Sequence, residues 1–132
     1  MAARAAVGRT RRIGSGYPGV PCRAMKELEP ATFDEAIASD ALIVDFWAPW
    51  CRPCAALEPV LEKLATRVPV ARLNIDEHPE IASRYDVLSI PTVMLFVDGA
   101  PRGTVIGLRP LAHFERWLGE VLPAGELDGL AG

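Results

Sequence analysis

The sequence predicts an α/β fold with a mixed central β-sheet and helices on both faces. Two strand-like segments, 42–47 and 70–75, enclose a helical segment within about 30 residues, the pattern of a right-handed βαβ unit with parallel strands. Two later segments, 92–97 and 102–106, flank Asp98-Gly99-Ala100-Pro101, a hairpin-like turn that makes these strands antiparallel. With 132 residues, 50% of them hydrophobic, the chain is expected to form one globular domain.

Charge divides the chain into two chemically different parts. The first 26 residues carry six basic residues and no acidic one, whereas the whole chain has a net charge of −3. Residues 1–24 show neither helical nor strand periodicity, and we expect a disordered basic N-terminal extension there. We expect the folded domain to span residues 25–122 and a flexible C-terminal tail to span 123–132. The arginine-rich start also suits a transit peptide, and Met25 is an alternative start of translation.

The net charge and the short apolar runs exclude two classes of partner. A chain with net charge −3 is not expected to bind nucleic acid or a membrane surface. No apolar run approaches the roughly 20 residues needed to cross a bilayer. No secretory signal is recognised near the start, so a cytoplasmic location is expected.

The first elements of the domain are a short helix and a central strand. Thr32-Phe33-Asp34-Glu35 has the pattern of a capping box and predicts a helix that begins there and buries Phe33, Ala36 and Ile37. Segment 42–47 is apolar on both alternating faces, which is typical of a strand covered from both sides. Asp45 interrupts this pattern.

Three further helices are predicted along the rest of the domain. Positions 57, 60, 61, 64 and 68 predict a helix over about 55–68, with a kink near Pro59. His78-Pro79 opens a second, short helix, because proline suits the first helical turn. The last helix is expected to bury four apolar residues: Leu111, Phe114, Leu118 and Val121.

Redox chemistry is predicted between the strand at 42–47 and the following helix. Cys51 and Cys54 are spaced so that, on the first turn of a helix, they can cycle between dithiol and disulfide. Amides at a helix N-terminus stabilise a thiolate, so Cys51 is the expected nucleophile and Cys54 the more buried resolving thiol.

A lone C-x-x-C motif is also compatible with half a zinc site or with two unrelated core cysteines. A structural zinc site needs four ligands, and the other candidates, Cys22, His78 and His113, are scattered along the chain. We therefore expect no metal and no cofactor. Cys22 is expected to be a free thiol.

Four blocks of the sequence resemble the thioredoxin family over about residues 26–122. They are Val44-Asp45-Phe46-Trp47-Ala48 with the cysteine motif, Leu73-Asn74-Ile75-Asp76, Ser89-Ile90-Pro91-Thr92 and Val105-Ile106-Gly107. The resemblance implies the thioredoxin fold and a protein-disulfide reductase in which Cys51 attacks a substrate disulfide and Cys54 resolves the mixed disulfide.

The resemblance also assigns a role to Asp45. Burial is expected to raise the pKa of this carboxyl toward neutrality and to let it accept the Cys54 proton. Arg72 stands where the family often has a lysine near that carboxylate. An arginine cannot give up its proton, so it would favour the charged form of Asp45.

A shallow apolar docking surface for extended substrates is implied around the cysteines, with Pro91 in the cis form. Its expected members are Trp50, Pro53, Ile75, Ile90, Pro91, Ile106 and Gly107. Trp47 is expected to pack beneath this surface. Arg52 departs from the family, which usually has glycine there. Its charge is expected to favour the thiolate, raise the redox potential and select acidic substrate segments.

The implied partners are client proteins with disulfides and a flavin-dependent, NADPH-using thioredoxin reductase, with the chain itself a monomer. Two alternatives remain at this point. One is a thiol-disulfide oxidase or isomerase, which Arg52 favours. The other is a non-catalytic binding module that uses the docking surface. The presence of both Cys51 and Cys54 argues against this alternative.

Overall fold

A computed structural model describes residues 25–122, and the expected N-terminal extension and C-terminal tail lie outside the described residues. The elements follow in the order β1 (Lys26–Glu27), α1 (Pro30–Ile37), β2 (Leu42–Trp47), α2 (Arg52–Leu64), β3 (Val70–Asn74), α3 (Pro79–Arg84), β4 (Thr92–Val97), β5 (Ala100–Ile106) and α4 (Leu111–Val121). Within this range no helix has the length and apolar character to cross a membrane.

The five strands form one mixed sheet in the order β1-β3-β2-β4-β5. β3 pairs in parallel with both β1 and β2, whereas β4 pairs antiparallel with β2 and β5. The parallel βαβ unit and the antiparallel hairpin predicted from the sequence are therefore both confirmed. The hairpin turn is tighter than predicted, because Ala100 and Pro101 already belong to β5. Asp98 and Gly99, the two residues of the turn, have positive φ values of 52° and 86°, as in a two-residue type I′ turn.

β1 was not predicted. It has only two residues, both charged and exposed, so it carries no apolar alternation that a sequence pattern can detect. Its pairing partners are Ala71 and Arg72 of β3, and the amide of Leu28 donates to the Arg72 carbonyl at 2.7 Å. This edge strand brings Glu27 beside Arg72.

Two helix starts differ from the sequence prediction. The predicted capping box with Thr32 at the N-cap is wrong, because α1 begins at Pro30 and has Glu29 as its N-cap. Thr32 instead lies in the first turn, where its hydroxyl accepts from the Glu29 amide at 3.4 Å. Proline suits the first helical position since it lacks the amide hydrogen that is unpaired there. α2 starts at Arg52, before its apolar spacing begins, because Cys51 caps it.

Two element ends also differ. α2 ends at Leu64 rather than near position 68. β3 ends at Asn74 because the side-chain oxygen of this residue accepts from the amides of Asp76 and Glu77, at 2.9 and 3.3 Å, and turns the chain.

Helices cover both faces of the sheet. α1 and α3 pack on one face, around Phe33, Phe46 and Ile81. α2 and α4 pack on the other, around Ile43, Leu57 and Phe114. Because side chains alternate along a strand, Asp45 follows Ile43 onto the face that α2 covers. Arg72 reaches the same face, two residues after Val70.

Candidate active site

The two cysteines lie at the N-terminus of α2, directly after the loop that leaves β2. Cys51 is the N-cap of α2, and its sulfur accepts from the backbone amide of Cys54 at 3.2 Å. The Cα atoms of the two cysteines are 5.3 Å apart, and their sulfurs are paired in a disulfide. A thiolate at Cys51 would meet the same amide together with the positive end of the helix dipole.

The cysteine pair is nearly covered. Cys51 is 5% exposed and Cys54 1%, and both pack with Ala48, Ile75 and Ile90. Cys51 is thus the more accessible of the two. The half-buried Trp47 contacts the same cluster from the end of β2, as expected for a packing residue.

Asp45 is a fully buried carboxyl group on the α2 face of the sheet. Among the described residues neither of its oxygens has a hydrogen-bond partner. Its pKa is raised from 3.8 to about 7, chiefly by desolvation; within that net shift Arg72 lowers the pKa, and Glu27 and Glu58 raise it. The group therefore titrates near neutral pH, as the sequence predicts, and Arg72 opposes the rise without cancelling it.

The docking residues predicted from sequence lie in the first turn of α2, in loops and at a strand end. Trp50 is 66% exposed, and its indole N–H donates to Asp76 Oδ2 at 2.8 Å, which holds the ring beside the motif. Arg52 and Pro53 are exposed in the first turn of α2.

The other members come from three separate segments of the chain. Ile75 follows β3, and its amide donates to the Trp47 carbonyl at 2.9 Å. Ile90 and Pro91 precede β4 and are joined by a cis peptide bond. Gly107, with a φ of 93°, follows the 54% exposed Ile106 and donates to the Pro91 carbonyl at 2.8 Å. The structure thus brings these residues to one end of the sheet.

Sequence reasoning missed two groups of residues near this site. Leu88 and Leu108 are apolar side chains left 96% and 48% exposed, and Leu88 borders a cavity of about 310 Å³ that Ile75 also lines. The second group is Glu27 and Glu58, which approach Arg72. The sequence around a charged residue on an exposed strand or helix does not indicate which distant residue it will pair with, because only the tertiary structure brings the two together.

The described residues contain no cluster of histidine, cysteine or acidic side chains suited to a metal ion. Cys22 lies outside the described range. His78 and His113 belong to different helices, the first at the N-cap of α3 and the second within α4.

A C-x-x-C disulfide at the start of a helix, after a central strand and beside a cis-proline loop, defines the class of thiol-disulfide oxidoreductases. Comparison with known proteins agrees. The thioredoxin family model matches residues 24–120. A thioredoxin from Alicyclobacillus acidocaldarius is 45% identical over 100 residues, which cover 72% of this chain and 95% of that protein. A thioredoxin from Staphylococcus aureus is 42% identical over 91 residues, covering 66% of this chain and 88% of that one.

Solved structures give the same result. A mutant thioredoxin from Halobacterium salinarum superposes with a TM-score of 0.70 at 32% identity, covering 75% of this chain and 91% of that one. The chain belongs to the thioredoxin family, and its function is thiol-disulfide reduction with the Cys51–Cys54 pair.

Proposed function

We propose that Cys51 attacks the disulfide of a client protein and that Cys54 resolves the mixed disulfide which results. The observation that carries this order is the position of Cys51 at the N-cap of α2, where its sulfur accepts the Cys54 amide. Helix amides stabilise the Cys51 thiolate, and Cys51 is the more exposed thiol. Cys54 lies one turn deeper and needs a base before it can attack.

Asp45 is that base in this proposal. Its pKa of about 7 matches the pH at which a general base is most effective, since such a group is partly ionised and still accepts a proton readily. Its place on the sheet face beneath α2 supports the role, because α2 carries Cys54.

Client proteins dock as extended segments on the surface formed by the side chains of Trp50, Ile75, Ile90 and Ile106 and by the backbone next to them. Pro91 and Gly107 contribute main chain beside the cysteines, where an added strand can pair. Leu88 extends this surface with an exposed apolar side chain. Arg52 and Pro53 border it, and the Arg52 charge favours acidic client segments.

The disulfide that forms in each cycle is reduced again by a flavin-dependent thioredoxin reductase that uses NADPH, and the chain acts as a monomer in the cytoplasm. The likeness to curated thioredoxins supports this electron route. A reducing compartment is also consistent with an odd number of cysteines in the chain.

The order of attack is tested with a Cys54→Ser variant incubated with insulin disulfides or an oxidised lysate. We expect stable mixed disulfides on Cys51, because attack survives and resolution is lost. Cys51→Ser is the matched control and should form none. If adducts form with Cys51→Ser instead, the two roles are reversed.

The reductase is tested by coupling insulin reduction by the wild-type chain to NADPH oxidation by a bacterial thioredoxin reductase. Steady NADPH consumption that depends on both cysteines supports the proposed electron route. Turnover with dithiothreitol but none with the reductase contradicts it.

A further inference from the structure

One guanidinium group at the active site is shared by three carboxylates. Arg72 Nη2 lies 3.0 Å from Glu58 Oε2, while its Nε lies 3.6 Å from Glu27 Oε2 and 3.9 Å from Asp45 Oδ2. The guanidinium carbon also stacks 3.9 Å above the centre of the Trp47 ring. The Arg72 side chain is only 14% exposed, so this arrangement is screened less than a surface ion pair.

Strand pairing explains why these groups meet. β3 lies between β1 and β2, and Arg72 on β3 pairs with Glu27 on one side and Asp45 on the other. The three residues therefore form one row across the sheet. Glu58 reaches the row from α2, one helical turn after Cys54. The row therefore lies under the part of α2 that holds the resolving cysteine.

The distances show that Arg72 is directed toward Glu58 rather than Asp45. Its 3.0 Å approach to Glu58 is the shortest of the three, and its Nε has no hydrogen-bond partner among the described residues. Both Asp45 oxygens are equally without one. Since a guanidinium has its donors in a rigid fork, the ion pair with Glu58 and the stack on Trp47 together orient the group away from Asp45.

We propose that Glu58, assisted by Glu27, is a positioning residue that holds the Arg72 guanidinium out of hydrogen-bonding contact with Asp45 and so keeps Asp45 able to accept the Cys54 proton. This inference rests on the role given to Asp45 under the proposed function. Without Glu58, Arg72 would turn its fork to Asp45 and bind it bidentately. A carboxylate so paired stays ionised and is a weak base.

The step concerned is the resolution of the mixed disulfide. Asp45 takes the proton from the Cys54 thiol, the Cys54 sulfur forms a bond to the Cys51 sulfur, and the bond between Cys51 and the client sulfur breaks. The client leaves as a thiolate, which is protonated from solvent. The enzyme dithiol is oxidised to a disulfide and the client disulfide is reduced, so electrons balance.

The charges around Asp45 shift its pKa in the directions that the proposal requires. The charged groups facing Asp45 are Arg72 from β3, Glu27 from β1 and Glu58 from α2, whereas its partner on β4 is the apolar Val93. Arg72 lowers the pKa of Asp45, and both glutamates raise it. Loss of either glutamate charge therefore lowers the pKa, directly and by releasing Arg72.

The test compares Glu58→Gln with Glu62→Gln in the full chain. Glu62 is exposed on the same helix, so its replacement makes the same change in net charge away from Arg72. The carboxyl carbon of Asp45 is followed by ¹³C NMR against pH in the reduced protein. We expect the titration midpoint to fall by at least about half a pH unit in Glu58→Gln and to stay unchanged in Glu62→Gln. Equal midpoints in the two variants overturn the inference.

Single-turnover reduction of insulin, quenched with acid at intervals, gives a second measurement. The acid limb of its pH profile is expected to move to lower pH in Glu58→Gln by the same amount as the Asp45 midpoint. Loss of rate at every pH with an unmoved limb indicates a structural role and overturns the inference. Near-UV circular dichroism checks that each variant is folded. If Glu58→Gln does not fold, Glu27→Gln decides whether the inference holds, since it should also lower the titration midpoint of Asp45.

An Arg72→Gln background separates positioning from direct charge. If Glu58 acts through the guanidinium, Glu58→Gln should move the Asp45 midpoint much less in that background. An undiminished effect overturns the positioning role. Because the NMR titration needs no client, failure of the wild-type chain to reduce insulin would count against the proposed function alone, while the Asp45 midpoints would still decide this inference.

Discussion

Replacing Asp45 with Asn should stabilise the oxidised protein at alkaline pH and much less at acid pH. The pKa of this carboxyl is about 7 in the folded protein and near 3.8 in the unfolded chain. The folded state therefore binds a proton that the unfolded state releases between these two values. Stability is favoured at low pH and falls as pH rises toward 7, because charging a fully buried carboxyl costs free energy.

The magnitude follows from the two pKa values. Each pKa unit corresponds to about 1.4 kcal/mol, so the charged form of Asp45 costs about 4 kcal/mol at a pH well above 7. The group is 0% exposed, so solvent screening does not reduce this figure much. Asn has nearly the same shape and no charge to bury, although its amide also needs partners and imposes a cost that does not vary with pH.

The assay is urea unfolding of oxidised wild type and Asp45→Asn at pH 5, 7 and 8.5. The difference in unfolding free energy between the two proteins should grow by about 3 kcal/mol in favour of Asn from pH 5 to 8.5. The control is Asp40→Asn, the same substitution at an exposed position, with which the effect of Asp45→Asn is compared. A difference that is the same at all three pH values would refute the reasoning, because Asp45 would then not titrate in this range.

Three further predictions concern the cysteines and their neighbours. Iodoacetamide should alkylate Cys51 of the reduced protein much faster than Cys54 near neutral pH, as read by mass spectrometry, and equal rates would contradict the assignment of the nucleophile. Arg52→Gly should make the redox potential more negative by a few tens of millivolts at most, because the exposed charge is screened and about 30 mV corresponds to 1.4 kcal/mol. Titration against glutathione measures the potential, and a shift to a more positive value would contradict the prediction. Deleting residues 1–24 should leave insulin reduction and the thermal midpoint unchanged, because a glycine-rich segment without periodicity buries little apolar surface, and a drop of several degrees would show that it docks.

Much of the fold was predictable because its signals are local. Continuous apolar runs identified β2 and β4, helical spacing identified α2 and α4, and Asp98-Gly99 identified the hairpin. The cysteine motif at the end of a buried strand pointed to redox chemistry for the same reason. Strand apolarity and the spacing of two thiols are properties of neighbouring residues, so they can be read without knowing what packs against them.

Tertiary structure decided the details that depend on partners distant in sequence. The start of α1 moved to Pro30, and β1 exists only because β3 offers it an edge. The family resemblance placed Arg72 near Asp45 but could not tell whether its charge would cancel the effect of burial. Coulomb energies vary with distance and local dielectric, and both depend on the burial of Asp45 and on where packing places Arg72, Glu27 and Glu58. Cys51, Cys54 and Asp45 were thus visible in the sequence, whereas the glutamates beside Arg72 and the protonation of Asp45 were decided by the packing of three strands and one helix.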